Sequence, residues 1–374
     1  MKAYQVVPNP FPSDTNEGSD NMLAIVRYCR HLLGSPEVSN MDLKHVYVAL
    51  SRVISTTLIH REMFFAPVLH SIEKEITLRE CPVSVSEFLV PVRNRFVASG
   101  LDMSYLLRQV KFLQADLAHE EEEQKKDRAQ ALERQCKDKA LEIIRYLTIL
   151  IQNGIVKRKI SEGTCVHIWN FVWTILFGNA TGVQVDIGEL ASEATKADIQ
   201  VTEQLFGTLT QSGGRKTDTI LRVMDTTEGD TSMIEIGVNE HKPKHASNTT
   251  LQKQTSKVIR INRSILSRLQ TKETIVFLDA HGLSAWIYGM KVHEDVYGCV
   301  GPLGEIWLPS SEYEMRVFLG SGALDMLFRY KEHVETFACE LFVTEGRDSQ
   351  VSCLVPTRQH DACRALSWSW MFNC

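Results

Sequence analysis

The sequence predicts an α+β fold, a mixed sheet flanked by helices, preceded by a mainly α-helical amino-terminal domain. Three observations carry this expectation. Between Leu101 and Gln152 there is neither Gly nor Pro, and apolar residues such as Leu106, Val110, Leu113 and Leu117 recur at helical spacing. Beyond Gly178-Asn179 the texture changes to short β-rich runs parted by Gly-containing turns. A long amphipathic helix over 249–270 interrupts those runs.

In chain order, residues 1–21 are rich in Pro, Asn, Ser and Asp without period and read as a flexible leader. Residues 22–152 form the helical domain. At its centre, residues 120–128 are charged all round, which suits a solvated stretch of one long helix or a break between two. Leu132, Cys136, Ala140, Ile143 and Leu147 then make an apolar stripe, a coiled-coil-like segment that can seat on a partner helix, giving a homodimer, or on its own domain. Asn153-Gly154 closes this region, and a helix follows Ser161-Glu162 through Trp169 and Trp173 to Gly178. Within the second domain, 153–345, strands are expected at 219–224, 233–238, 274–279, 285–292 and 305–309, with a last helix over 310–341. Residues 346–374 show neither period nor turn logic and carry no assignment.

Composition narrows the function. The chain has 374 residues, 44% of them hydrophobic, so it can fill a substantial core. A net charge of -5 excludes wholesale affinity for polyanions, and any such contact must come from a local patch. The nine cysteines include no Cys-x-x-Cys pair, which excludes a zinc ribbon and suggests reduced thiols in an intracellular, nuclear or cytoplasmic setting. No apolar run approaches the ~20 residues of a membrane span. Neither a phosphate loop ending in Gly-Lys-Ser/Thr, nor His-Glu-x-x-His, nor Gly-x-Ser-x-Gly occurs.

The chemistry concentrates between Arg215 and Lys242. Two β-like runs flank Thr227-Glu228-Gly229-Asp230-Thr231, a hairpin signal. Opposed residues of an antiparallel pair have numbers of constant sum, so a turn centred on Gly229 sets Asp218 across from Glu240. Side chains alternate along a strand, so Lys242 shares their face, while Ile220, Met224, Ile234, Ile236 and Val238 continue it as an apolar surface with Arg222 as its misfit. Two carboxylates so placed repel unless a cation intervenes, and Mg²⁺ prefers one or two carboxylates together with waters and phosphate.

These residues resemble the PD-(D/E)XK nuclease superfamily, with its helix bearing Glu, strand bearing Asp, strand ending in Glu-x-Lys, and following helix. Glu162, Asp218, Glu240-His241-Lys242 and the 249–270 helix stand in that order, over roughly residues 160–300. Thr217 stands where the family often has Pro, and Glu189 and Glu193 compete with Glu162 for the helix-borne role. The phrases Gly214-Arg215-Lys216-x-Asp218 and Asn239-Glu240-x-Lys242 are also similar to those of fungal proteins with nuclease-like domains. The resemblance implies a restriction-endonuclease-like fold and a metal-dependent nuclease with Mg²⁺ or Mn²⁺ as cofactor. Asp218, Glu240 and the His241 backbone carbonyl would be its ligands, and Lys242 and Glu162 would complete the catalytic set. Alternatives are a nuclease fold that no longer cuts and binds nucleic acid or regulates, and a helical scaffold protein.

Residues 241–272 contain no Asp or Glu but eight Lys and Arg. Lys253, Gln254, Lys257 and Arg260 lie three to four residues apart, which predicts a nucleic-acid-binding helix face suited to phosphates, for DNA before RNA.

Overall fold

The computed structural model describes residues 20–80, 85–123, 128–156, 160–178, 182–206, 214–225 and 232–344. The leader up to residue 19, the hairpin loop around Gly229 and the tail from 345 lie outside them. The amino-terminal part is helical: α1 (Asp20–Leu33), α2 (Asn40–Leu50), α3 (Arg61–Glu75), α4 (Val85–Ala98), α5 (Met103–Glu123) and α6 (Arg128–Gln152), with a short strand β1 (Val53–Ser55) between α2 and α3. There follow α7 (Glu162–Phe177), β2 (Val183–Ala191), α8 (Glu193–Phe206), β3 (Lys216–Asp225), β4 (Ser232–Lys242), α9 (Asn248–Leu269), β5 (Ile275–His281), β6 (Ser284–His293), β7 (Val296–Trp307), α10 (Glu312–Phe318) and α11 (Ala323–Thr344).

The strands form one seven-stranded mixed sheet in the order β1-β7-β6-β5-β4-β3-β2. β4 and β5 run parallel, as do β1 and β7, and every other neighbouring pair is antiparallel. The parallel step from β4 to β5 needs a crossover, and α9 supplies it. Serine side chains start the helices that matter most to the site: Ser161 caps α7 through the Thr164 N–H and Ser247 caps α9 through the Thr250 N–H.

The middle of the charged centre, residues 124–127, lies outside the described residues, and the helices on either side of it pack against each other. Gln152 bonds Ser104 at 3.0 Å and Gln114 bonds Asp138 at 3.3 Å, so α5 and α6 run antiparallel. Cys136, Ala140, Ile143 and Leu147 are buried within this same molecule, and Leu132 is half exposed. Of the two seatings open to the stripe, a partner helix or its own domain, the structure shows the second. One continuous core runs from α1 to α11, β1 joins the sheet beside β7, and α2 packs on α9. Among the described residues no helix is long and apolar enough to cross a membrane.

Four of the five expected strands and the 249–270 helix are found close to their limits. Three elements were illegible: β1, β2 and α8. β7 starts at Val296 rather than near 305, because Gly298, Gly301, Pro302 and Gly304 read as turns. Within the sheet, the absent side chain of Gly298 leaves room for Ile72 of α3. The last helix is two, parted at Gly322, which has a φ of +72°.

Candidate active site

The β3–β4 hairpin has the expected register at its open end, with Thr219 opposite Asn239, Ile220 opposite Val238 and Leu221 opposite Gly237. A bulge then shifts the pairing by one, and Arg222 faces Glu235. Asp218 lies one residue beyond the last of these pairs, alongside Glu240, and its Oδ2 accepts the His241 N–H at 2.8 Å.

Alternation along β4 sorts its end into two faces. Asn239 and His241 face α7 and α11. The Asn239 Oδ1 accepts the Tyr330 hydroxyl at 3.2 Å, and the His241 ring lies 6.3 Å from that of Trp169. Burial pushes the His241 imidazole down to about 3, so it is neutral, and its contribution to the site is its main chain. Glu240 faces α9. Only 1% of it is exposed, and Lys257 of α9 sets its Nζ 2.6 Å from the carboxyl. Burial pushes the Glu240 carboxyl up to about 7; Lys257 and Lys242 oppose this, and the charge of Asp218 adds to it.

At the strand's end Lys242 turns toward the amino terminus of α7. Its Nζ bonds Glu162 and lies 3.1 Å from the His241 carbonyl oxygen. Burial works against the ammonium, but the bond with Glu162 and the charges of Asp218, Glu162 and Glu240 outweigh it and raise the pKa. Lys242 is therefore charged. The competing glutamates are engaged elsewhere: Glu189 pairs with Lys216 at 3.1 Å and Glu193 with Lys196 at 2.5 Å.

The fold thus brings Glu162, Asp218, Glu240, His241 and Lys242 together from three elements distant in sequence. It treats the expected basic face of α9 differently. Gln254 is 2% exposed and lies inside, not on the cationic face, where its Nε2 donates to the carbonyls of Glu240 and Ala280 at 3.3 and 3.2 Å and to Asp279. The reason is that α2, α8 and the sheet enclose α9 on most sides. Lys253 is exposed, Lys257 is drawn to Glu240, and Arg260 rests on the Tyr47 ring. Sequence reasoning missed Asp279, which pairs with Glu240 across the parallel β4–β5 step and is bonded by Thr255 and Gln254. Its signal was an aspartate closing a run of buried strand residues.

Among the described residues no three His, Cys, Asp or Glu side chains gather as a ready metal cage. What stands there is a pair of carboxylates, Asp218 and Glu240, near enough for one charge to bear on the other, and the His241 carbonyl, which accepts the Lys242 ammonium. An all-oxygen set with few carboxylates fits Mg²⁺ or Mn²⁺, which keep several waters.

The molecule is thus a mixed α/β protein with a carboxylate–lysine cluster at the open end of its central hairpin. No protein-family model, no curated protein and no solved structure matches the chain.

Proposed function

We propose that this chain is a metal-dependent nuclease with a restriction-endonuclease-like core of the PD-(D/E)XK type, hydrolysing phosphodiester bonds of nucleic acid inside the cell. The observation that carries the reading is Lys242: its ammonium bridges the Glu162 carboxylate and the His241 carbonyl at the end of β4 where Asp218 and Glu240 meet. The order α7, β2, α8, β3, β4, α9, β5, with β5 parallel to β4, supports it as well, α8 being inserted between the first two strands.

In this reading Asp218, Glu240 and the His241 carbonyl hold Mg²⁺ or Mn²⁺. When bound, the ion polarises a phosphodiester and lowers the pKa of a water. Lys242 orients the attacking water and offsets charge that develops on the phosphate. Glu162 keeps that ammonium in place, and the His241 N–H fixes the Asp218 carboxylate. The test is Mg²⁺-dependent cleavage of DNA and RNA by the purified chain. Asp218→Ala and Lys242→Ala are each expected to lower the rate on the order of 10²-fold or more. Cleavage that survives both substitutions belongs to another site or another protein and sinks the reading.

One observation favours a second reading, a nuclease fold that binds nucleic acid or regulates without cutting. The Lys257 ammonium already stands against Glu240 and offsets its charge without a metal. Calorimetric titration with Mg²⁺ separates the two: heat of binding lost in Asp218→Ala supports the first, and absence of binding in the wild type supports the second.

A further inference from the structure

α2 and α9 pack side by side, and cations gather along their seam. On α9, Lys253, Lys257 and Arg260 are four and three residues apart and so share one stripe, of which Lys257 is the member that reaches Glu240. On α2, Lys44 is close enough to Lys253 for the like charge to add to burial in lowering its pKa. Arg215, just before β3, bears on Arg260 in the same way, behind burial as the larger cause. Among the described residues, Lys44 Nζ and Arg260 Nε are buried with no hydrogen-bond partner. Of the neighbouring carboxylates, Asp198 holds Arg263 at 3.1 Å and the Ser264 hydroxyl at 2.5 Å and is also the counter-charge of Arg215, while Asp42 holds Ser39 in the capping box of α2. In a protein of net charge -5, this is a local excess of cations short of counter-ions, and a polyanion would supply them.

Tyr47 gives the seam a second character. Its ring is half exposed, and the Arg260 guanidinium lies 5.5 Å from the ring centroid. An open aromatic ring beside unpaired cations is a platform for an unstacked base whose phosphates the cations hold. Bases within a duplex are already stacked and do not reach such a ring.

We propose that the seam between α2 and α9 is a seat for single-stranded nucleic acid, where Lys44, Lys253 and Arg260 hold backbone phosphates and Tyr47 stacks a base. The strand would pass over Lys257 to Glu240, and this last link rests on the nuclease reading. The seat itself does not depend on cleavage.

The test is fluorescence anisotropy with the full chain in EDTA, using a labelled oligonucleotide of about 16 nucleotides, single-stranded and as a duplex. The single strand is expected to bind more tightly. Lys44→Glu combined with Lys253→Glu should weaken it about tenfold or more and lower the salt slope by about 1.4, the counterions of two phosphate contacts. Tyr47→Ala should weaken the single strand about fivefold or more while leaving the duplex unchanged. The pair Lys44→Gln and Lys253→Gln should reproduce the loss in reduced size if the Glu variants melt early. Binding unchanged in both the Glu and the Gln variants overturns the seat. So does equal affinity for strand and duplex with no effect of Tyr47→Ala, or capture of anionic lipid vesicles with no affinity for the oligonucleotide. A chain that binds in EDTA yet does not cleave in Mg²⁺ keeps the seat and loses the nuclease. A chain that cleaves while both variants bind normally keeps the nuclease and loses the seat.

Discussion

Glu240 and Lys257 show how far a single residue's chemistry depends on where the fold leaves it. A carboxyl that is 1% exposed loses its hydration, and one ammonium 2.6 Å away makes up part of the loss. Burial, the largest influence, leaves the carboxyl titrating near about 7 in the folded chain instead of near 4.5. The folded state therefore holds this proton more tightly than the unfolded state does. Glu240's contribution to stability is full below its unfolded pKa and is lost as pH rises through about 7. Denaturant unfolding at about pH 5 and about pH 8 should show a smaller loss of stability for Glu240→Gln than for the wild type. An equal loss in the two proteins would remove Glu240 as its source. Mg²⁺ binding runs the opposite way, since it needs the ionised carboxylate, and should strengthen over the same range.

At the scale of elements, the bulge in the β3–β4 hairpin decides two things. At the open end it leaves the register intact, so Asp218 comes beside Glu240. Past Leu221 the shift sets Arg222 opposite Glu235, and the misfit cation of an apolar face gains partners in Asp186 and Glu235. Glu235 in turn starts α8, accepting the Ser192 hydroxyl at 2.8 Å and the backbone N–H of Glu193 and Ala194 at 2.8 and 3.1 Å. Removing it leaves the part-buried Arg222 with Asp186 alone and uncaps a helix. Glu235→Ala is expected to cost about 3–5 kcal/mol, as for the loss of one partner of a buried pair. Glu235→Gln should cost less, because the amide oxygen still accepts. Urea denaturation reads both, and a loss under about 1 kcal/mol for the alanine would show that the network carries little.

For the whole molecule, the shared core has a direct consequence. β1 closes the edge of the sheet at β7, α2 covers α9, and α4 packs against α10 and α11. A fragment beginning at Asn153 would expose the faces of α9, β7 and α11 that these elements bury. It should lack a cooperative thermal transition, whereas the full chain should unfold in one step by circular dichroism and by tryptophan fluorescence alike. A well-folded fragment, or two separated transitions in the full chain, would restore a boundary at residue 152.

Local pattern determined much of this protein. Helical period without Gly or Pro marked α5 and α6, Ser161-Glu162 marked the start of α7, and the constant-sum register set Asp218 across from Glu240. These features are written in neighbours of three, four or two residues, where covalent geometry links sequence to shape. Long-range packing decided the rest. β1 has three residues and takes its identity from pairing with β7, 240 residues and more away. The half-exposed edge strand β2 lacks the apolar run of an inner strand. Nothing in the sequence says that Gln254 turns inward while Lys253 stays in water, that Glu162 outcompetes Glu189 and Glu193 for Lys242, or that Lys44 and Tyr47 meet α9. Each of these follows from which surfaces cover one another, a property that tertiary structure alone decides, because burial is set jointly by residues far apart in the chain.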